Sequence, residues 1–147
     1  MMISKFNWGS ENYKKAVSLR DKVLRKPLGM KFSDEDLAKE KDFEHFGIFD
    51  DNGEIIAVLY IKPIGDNTIQ LKQMAVDFDY HNQGYGRKLV EYVMNFYSLK
   101  GIDLIILHAR KEAVGFYEKL NFVIEGDKFY EIGIEHYKMI KKIKKTY

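Results

Sequence analysis

Residues His81-Asn82-Gln83-Gly84-Tyr85-Gly86-Arg87-Lys88-Leu89 follow an apolar, strand-like run and open a helix. Gly84 and Gly86 lack a Cβ, so the backbone there can turn sharply and approach a ligand closely. The N–H groups of the first helical turn have no acceptor within the helix and point at the same spot. Such a mouth is an anion site, and phosphate is its usual occupant. The segment makes the chain a candidate enzyme that holds a pyrophosphate-bearing cofactor.

Other glycine loops fit less well. A nucleotide P-loop needs Gly-Lys-Ser/Thr after its glycines, whereas Arg87-Lys88-Leu89 follows Gly86 here. A dinucleotide fingerprint needs a third glycine where Leu89 stands, and its ribose-binding acid should end a strand. Asp103 begins one instead. A loop whose glycines only make a turn is the bland alternative.

The chain has 147 residues, of which 46% are hydrophobic and 31% charged, a composition that suits one globular domain over 1–147. The absence of cysteine excludes disulfides, thiolate metal sites and a cysteine nucleophile. No metal is expected. No signal-peptide or membrane-spanning stretch is visible, so the expected location is cytoplasmic, with no membrane partner. The last ten residues, Lys138 to Tyr147, hold five lysines and no acid; the rest carries 19 basic and 22 acidic residues, a balance of −3. This basic tail reads as a solvated strand end that keeps a sheet edge from aggregating, which argues against nucleic acid as a partner.

The elements that must position the loop are legible. Glu11 to Leu24 reads as a helix capped by Ser10 and ended by Pro27 and Gly29. Ser33-Asp34-Glu35-Asp36 opens a short second helix to about Lys41. Phe43–Phe49, Ile55–Ile61 and Ile69–Val76 read as three strands joined by the turns Asp51-Asn52-Gly53 and Pro63 to Asn67, an antiparallel meander. Gly84 to Lys100 is helical, with Leu89, Val90, Val93, Met94 and Tyr97 on one face. Asp103–Leu107 is a strand parallel to Ile69–Val76 by a crossover. Ala113–Leu120 is a short helix, and strands follow near Phe122–Phe129 and Glu135–Ile143. The expected fold is α/β (α+β): a mixed, mostly antiparallel sheet of about six to seven strands flanked by about four helices.

One strand beyond the loop helix lies Ala113-Val114-Gly115-Phe116-Tyr117-Glu118-Lys119-Leu120-Asn121-Phe122. Together the two segments resemble the GNAT acetyltransferase superfamily, with its Gln/Arg-x-x-Gly-x-Gly/Ala signature and its later Ala-x-x-Leu/Phe-Tyr-x-x-x-Gly-Phe signature. The element order agrees with the GNAT-like acyl-CoA N-acyltransferase fold over nearly the whole chain. Leu19 to Gly29 and Glu131 to Met139 resemble small bacterial members of the ElaA and YjcF type.

The resemblance implies site residues. Backbone N–H groups of Asn82, Gln83, Gly84, Tyr85, Gly86 and Arg87 would bind the CoA pyrophosphate, with charge added by Arg87 and Lys88. Backbone at Met74, Ala75 and Val76 would pair with the pantetheine arm and the thioester carbonyl. Tyr117 matches the tyrosine that protonates the departing thiolate. His81 stands where Gln or Arg is usual, which makes charge there pH-dependent. Phe78 replaces a common Pro, and Arg110 an Asn that contacts the cofactor. Asn121 replaces Gly at a position that favours a left-handed backbone. Gln70 occupies the place of a catalytic glutamate and cannot act as a base, so His136 is the first candidate base and His108 the second; direct proton release to water is a third route. Leu28, Phe32, Phe46, Tyr60, Tyr130 and Glu131 would line the acceptor pocket. The implied activity is transfer of acetyl from acetyl-CoA to a primary amine of a small molecule or peptide, in a chain that could form a homodimer. A CoA-binding sensor without turnover, or an acyltransferase for another acyl-CoA, are the alternatives.

Overall fold

The computed structural model describes residues 1–143. The lysine tail beyond Ile143, with Lys144 and Lys145, lies outside the described residues. Eight strands in one sheet follow the order β1-β2-β3-β4-β5-β8-β6, with β7 also on β8. They are β1 (Met2–Phe6), β2 (Glu44–Phe49), β3 (Ile55–Pro63), β4 (Thr68–Val76), β5 (Leu104–Arg110), β6 (Val123–Ile124), β7 (Phe129–Glu131) and β8 (Ile134–Lys142). The helices are α1 (Glu11–Arg20), α2 (Asp34–Ala38), α3 (Tyr85–Ser98) and α4 (Val114–Glu118).

The residues form two compact units, and β4 contributes to both. One contains Met1–Lys62 and Gln73–Val93; the other contains Pro63–Lys72 and the chain from Met94 onward.

In the first unit, Ser10 caps α1 by accepting from the N–H of Tyr13 at 3.1 Å. The helix then departs from the expectation: it widens into a π-helical turn over Asp21–Arg25 and tightens into a 3-10 turn over Lys26–Leu28 that ends at Gly29 with φ 69°. Ser33 and Asp36 form a complete capping box on α2. The Asp51-Asn52-Gly53 turn closes as expected, with the Gly53 N–H donating to Asp50 O at 3.0 Å. The core gathers Phe6, Tyr13, Ala16, Leu19, Phe49, Val58 and Ala75. At 25 cal/mol per Å², each such large apolar side chain contributes about 1.5–3 kcal/mol by leaving water.

Charge is also buried there. Arg20 (1% exposed) and Glu40 (4%) form a two-point ion pair, with Arg20 Nη1 and Nη2 donating at 2.7 and 2.5 Å. The Tyr13 hydroxyl donates to Glu40 Oε1 at 2.9 Å. His45, also 1% exposed, donates from Nε2 to the Glu40 carbonyl at 3.1 Å, and its Nδ1 has no hydrogen-bond partner. Burial holds the His45 imidazole below its ordinary value of 6.5, and nearby Arg20 pushes the same way. The unfolded chain therefore takes up a proton first. Stability from this site is complete above about pH 6.5 and falls as pH drops towards the lowered folded value. Thermal melts from pH 8 to 5 should show Tm falling on the acid side, with a shallower fall in His45→Gln; equal slopes would contradict this.

In the second unit, Thr68–Leu71 pairs parallel with Leu104–Leu107, as the crossover requires. β5 pairs antiparallel with β8 from Leu104–Lys142 to Arg110–His136. Buried Ile69, Leu71, Ile105, Leu107, Tyr117, Leu120, Phe122 and Met139 supply its apolar interior. The strand expected near Phe122–Phe129 is two short strands, β6 and β7, separated at Gly126 with φ 83°. With β1, which has no long apolar run, this raises the strand count from the expected six or seven to eight.

Candidate active site

The start of α3 has the geometry of an anion mouth. Asn82 (φ 59°) and Gly84 (φ 84°) are both left-handed, which turns the chain into the helix. Lys88 N–H makes the first helical bond, to Gly84 O at 3.0 Å. The N–H groups from Gly84 to Arg87 therefore precede the helical ladder, where an anion can accept from them. A Cβ on Gly84 would meet nothing within 4 Å, so glycine is needed there for its backbone conformation and not for space.

Side chains brace the loop. His81 Nε2 donates to the Val76 carbonyl at 2.8 Å, tying the first loop position back to the end of β4. Gln83 Nε2 donates to Asp79 O at 3.1 Å. Asp77 Oδ1 accepts from the Asp79 N–H at 3.0 Å, and its Oδ2 pairs with Lys22 at 3.1 Å. Partial burial opposes ionisation of Asp77, but that N–H and Lys22 outweigh it and hold the carboxyl below its ordinary value. Tyr80 meets Tyr85 edge to face at 5.5 Å. Arg87 is exposed and spends Nε on Glu91 at 2.6 Å, and Lys88 Nζ lies 5.4 Å from the Tyr85 ring centre.

Ahead of the loop, the parallel ladder of β4 ends at Leu71 among the described residues. Gln73 then takes φ 53°, a left-handed conformation rare for a side-chain-bearing residue inside a strand. Met74, Ala75 and Val76 lie beyond this kink, with Ala75 buried and the other two half-buried. A cleft of about 420 Å³ on the α1 side of this unit includes Lys15, Lys22, Asp50, Glu54, Asp77 and Asp79. Both lysines are committed, Lys15 to Gly53 O at 2.7 Å and Lys22 to Asp77, so the cleft has an acidic excess that disfavours a diphosphate.

In the second unit, Tyr117 is 6% exposed, with Phe116 and Phe122 edge-on at 5.0 and 5.6 Å. Burial raises the pKa of its phenol well above the ordinary tyrosine value. Asn121 has φ 69°, the left-handed backbone expected from its place in the motif. Arg110 closes β5, opposite His136 on β8. His136 is buried and donates from Nδ1 to Ile134 O at 2.8 Å, which leaves Nε2 as the acceptor of the neutral ring. His108 pairs through Nδ1 with Glu131 at 2.5 Å. Gln70 is 7% exposed. Of the expected acceptor-pocket residues, Phe32, Phe46 and Tyr60 are buried, whereas Leu28, Tyr130 and Glu131 are exposed. Sequence reasoning missed the Gln73 kink and the His81–Val76 tie, because neither residue type signals its conformation or partner.

A mixed sheet with one parallel crossover, whose crossover helix opens on a glycine loop, defines an acyl-CoA N-acyltransferase fold. The chain belongs to the GNAT acetyltransferase family, whose domain matches residues 42–124. It is similar to the uncharacterized protein YyaT of Bacillus subtilis (strain 168), at 25% identity over 132 residues covering 84% of this chain and 89% of that one. Its structure is similar to that of Escherichia coli ElaA, with TM-score 0.80 and 17% identity over 96% of this chain and 99% of that one. An aminoglycoside 6'-N-acetyltransferase complexed with coenzyme A is likewise similar, with TM-score 0.79 and 17% identity over 99% of each chain. No helix among the described residues is long and apolar enough to cross a membrane.

Proposed function

We propose that this N-acyltransferase uses acetyl-CoA and moves the acetyl group directly to a primary amine of a small molecule or peptide. The observation that carries the reading is the α3 mouth, where the N–H groups of Gly84 to Arg87 precede the first helical bond at Lys88. Four such donors and the positive end of a 14-residue helix favour a diphosphate. Met74, Ala75 and Val76, beyond the kink at Gln73, are the backbone assigned to the pantetheine arm and thioester. His81 holds Val76 in place and so positions that backbone. Arg110 is assigned to the cofactor.

The donor supplies an activated carbonyl. The amine nitrogen forms a bond to that carbon and the carbon–sulfur bond breaks. Tyr117 gives its phenolic proton to the departing sulfur. The attacking nitrogen loses a proton to His136 Nε2, the free acceptor of that ring.

Calorimetric titration with acetyl-CoA, butyryl-CoA and succinyl-CoA, paired with a thiol-release assay over an amine library, tests the reading. Micromolar acetyl-CoA binding and acceptor-dependent thiol release are expected. Binding without release for any amine would point to a sensor, preference for a longer chain to another acyl donor, and no binding at millimolar acetyl-CoA would end the proposal.

A further inference from the structure

Two arginines share one aromatic ring after α1. The Arg25 guanidinium lies 4.3 Å from the Phe32 ring centre, and Arg20 lies 4.5 Å from the same ring. Arg20 is also 5.2 Å from the Tyr60 ring, which stacks on Phe43 at 5.7 Å with planes 7° apart. Arg20 is neutralised by Glu40, whose two oxygens are taken by the guanidinium and the Tyr13 hydroxyl. Arg25 is different. Among the described residues no carboxylate lies within ion-pair distance of its guanidinium and no hydrogen bond engages that side chain.

The nearby acids, Asp36 and Asp21, attract Arg25 from a distance but form no ion pair with it. Asp21 Oδ1 accepts from the Phe32 N–H at 2.9 Å, and Asp36 closes the α2 capping box. Arg25 is only half-buried; burial and then Arg20 pull its pKa down, and the more distant Asp36 and Asp21 oppose them less strongly. A guanidinium held over an aromatic ring, with no ion-pair or hydrogen-bond partner for its side chain, has its N–H fork available, and that fork matches a carboxylate. The surrounding chain is braced to hold it: Met30 N–H donates to Arg25 O at 3.0 Å, and the Phe32 bond to Asp21 closes the loop from the other side. Leu28 and Met30, both exposed, add apolar surface to the same loop. Arg25 ends the π-helical turn, a feature common at functional sites. Three residues earlier in that turn, Lys22 grips Asp77, the neighbour of Val76.

We propose that Arg25 sets acceptor specificity by binding a carboxylate on the amine to be acetylated. The substrate class is then a carboxylate-bearing amine with an apolar portion, such as a hydrophobic α-amino acid. This inference rests on the acetyl-transfer reading above.

Matched acceptors test it: L-leucine and L-methionine against their carboxamides, which keep the amine and lose the charge. In the wild type, kcat/KM for the free acids should exceed that for the amides by about 10- to 100-fold, the worth of one charged hydrogen-bonded pair. In Arg25→Gln that ratio should fall to near parity through KM, while the Kd for acetyl-CoA stays unchanged. Arg25→Lys, which keeps charge but not the fork, should fall between. Three results would overturn the assignment: equal loss for acids and amides, weakened acetyl-CoA binding in Arg25→Gln (the guanidinium would then serve the donor), or turnover of other amines with none for amino acids or other carboxylate amines. Absent acetyl-CoA binding by the wild type would instead remove the acetyl-transfer reading itself.

Discussion

Tyr117→Phe should lower turnover by about 10²- to 10⁴-fold, the usual worth of a general acid, and leave the Kd for acetyl-CoA unchanged. Phenylalanine keeps the ring that Phe116 and Phe122 contact edge-on, so packing survives. What is lost is the hydroxyl, which in the proposed mechanism supplies the proton for the departing sulfur. The raised pKa of the buried phenol has a definite sign: Tyr117 stays protonated through the neutral and mildly alkaline range. An alkaline fall in kcat within that range therefore does not come from its titration. Steady-state thiol release across pH, with calorimetry on the same samples, checks both points. A variant that turns over at the wild-type rate would remove the acid role and leave the cofactor site untouched.

Glu40→Ala should destabilise the fold by about 3–5 kcal/mol, because it strands a buried guanidinium without its counter-charge. Arg20 is 1% exposed, and its Nε already lacks a partner. The Tyr13 hydroxyl loses its acceptor at the same time. A domain of this size has about 5–15 kcal/mol in hand, and each kcal/mol shifts Tm by about 2–4 °C. A drop of roughly 6–20 °C is the expected reading in a thermal melt. Replacing the group together, as Tyr13→Phe, Arg20→Met and Glu40→Leu, should recover most of the loss, since no charge is then stranded. A single Glu40→Ala variant that melts within about 2 °C of wild type would contradict the buried-pair account.

Local chemistry was legible and long-range chemistry was not. Ser10, the Ser33/Asp36 box and the Asp51 to Gly53 turn act within four residues, so their signals are contiguous in sequence. The same holds for the loop at Gly84 and Gly86 and for Asn121, whose left-handed backbone follows from its place in the motif. β1 escaped notice because Ser4 and Lys5 interrupt a five-residue edge strand whose identity comes from pairing with β2. β5 runs on to Arg110 because β8 pairs with it that far, beyond the end of its apolar run. Gln73 carries no mark of its left-handed φ. The Arg20–Glu40 pair spans 20 residues, and the Arg25–Phe32 contact depends on a π turn that ends at Arg25 and a 3-10 turn that follows it. Spacing in the sequence does not encode either contact.

The most direct measurement is a crystal structure of the protein soaked or grown with coenzyme A. The expected result places the diphosphate oxygens within about 2.7–3.2 Å of the backbone nitrogens from Gly84 to Arg87. A diphosphate bound elsewhere, or a helix mouth whose N–H groups are already occupied by protein acceptors when coenzyme A is bound, would contradict the account.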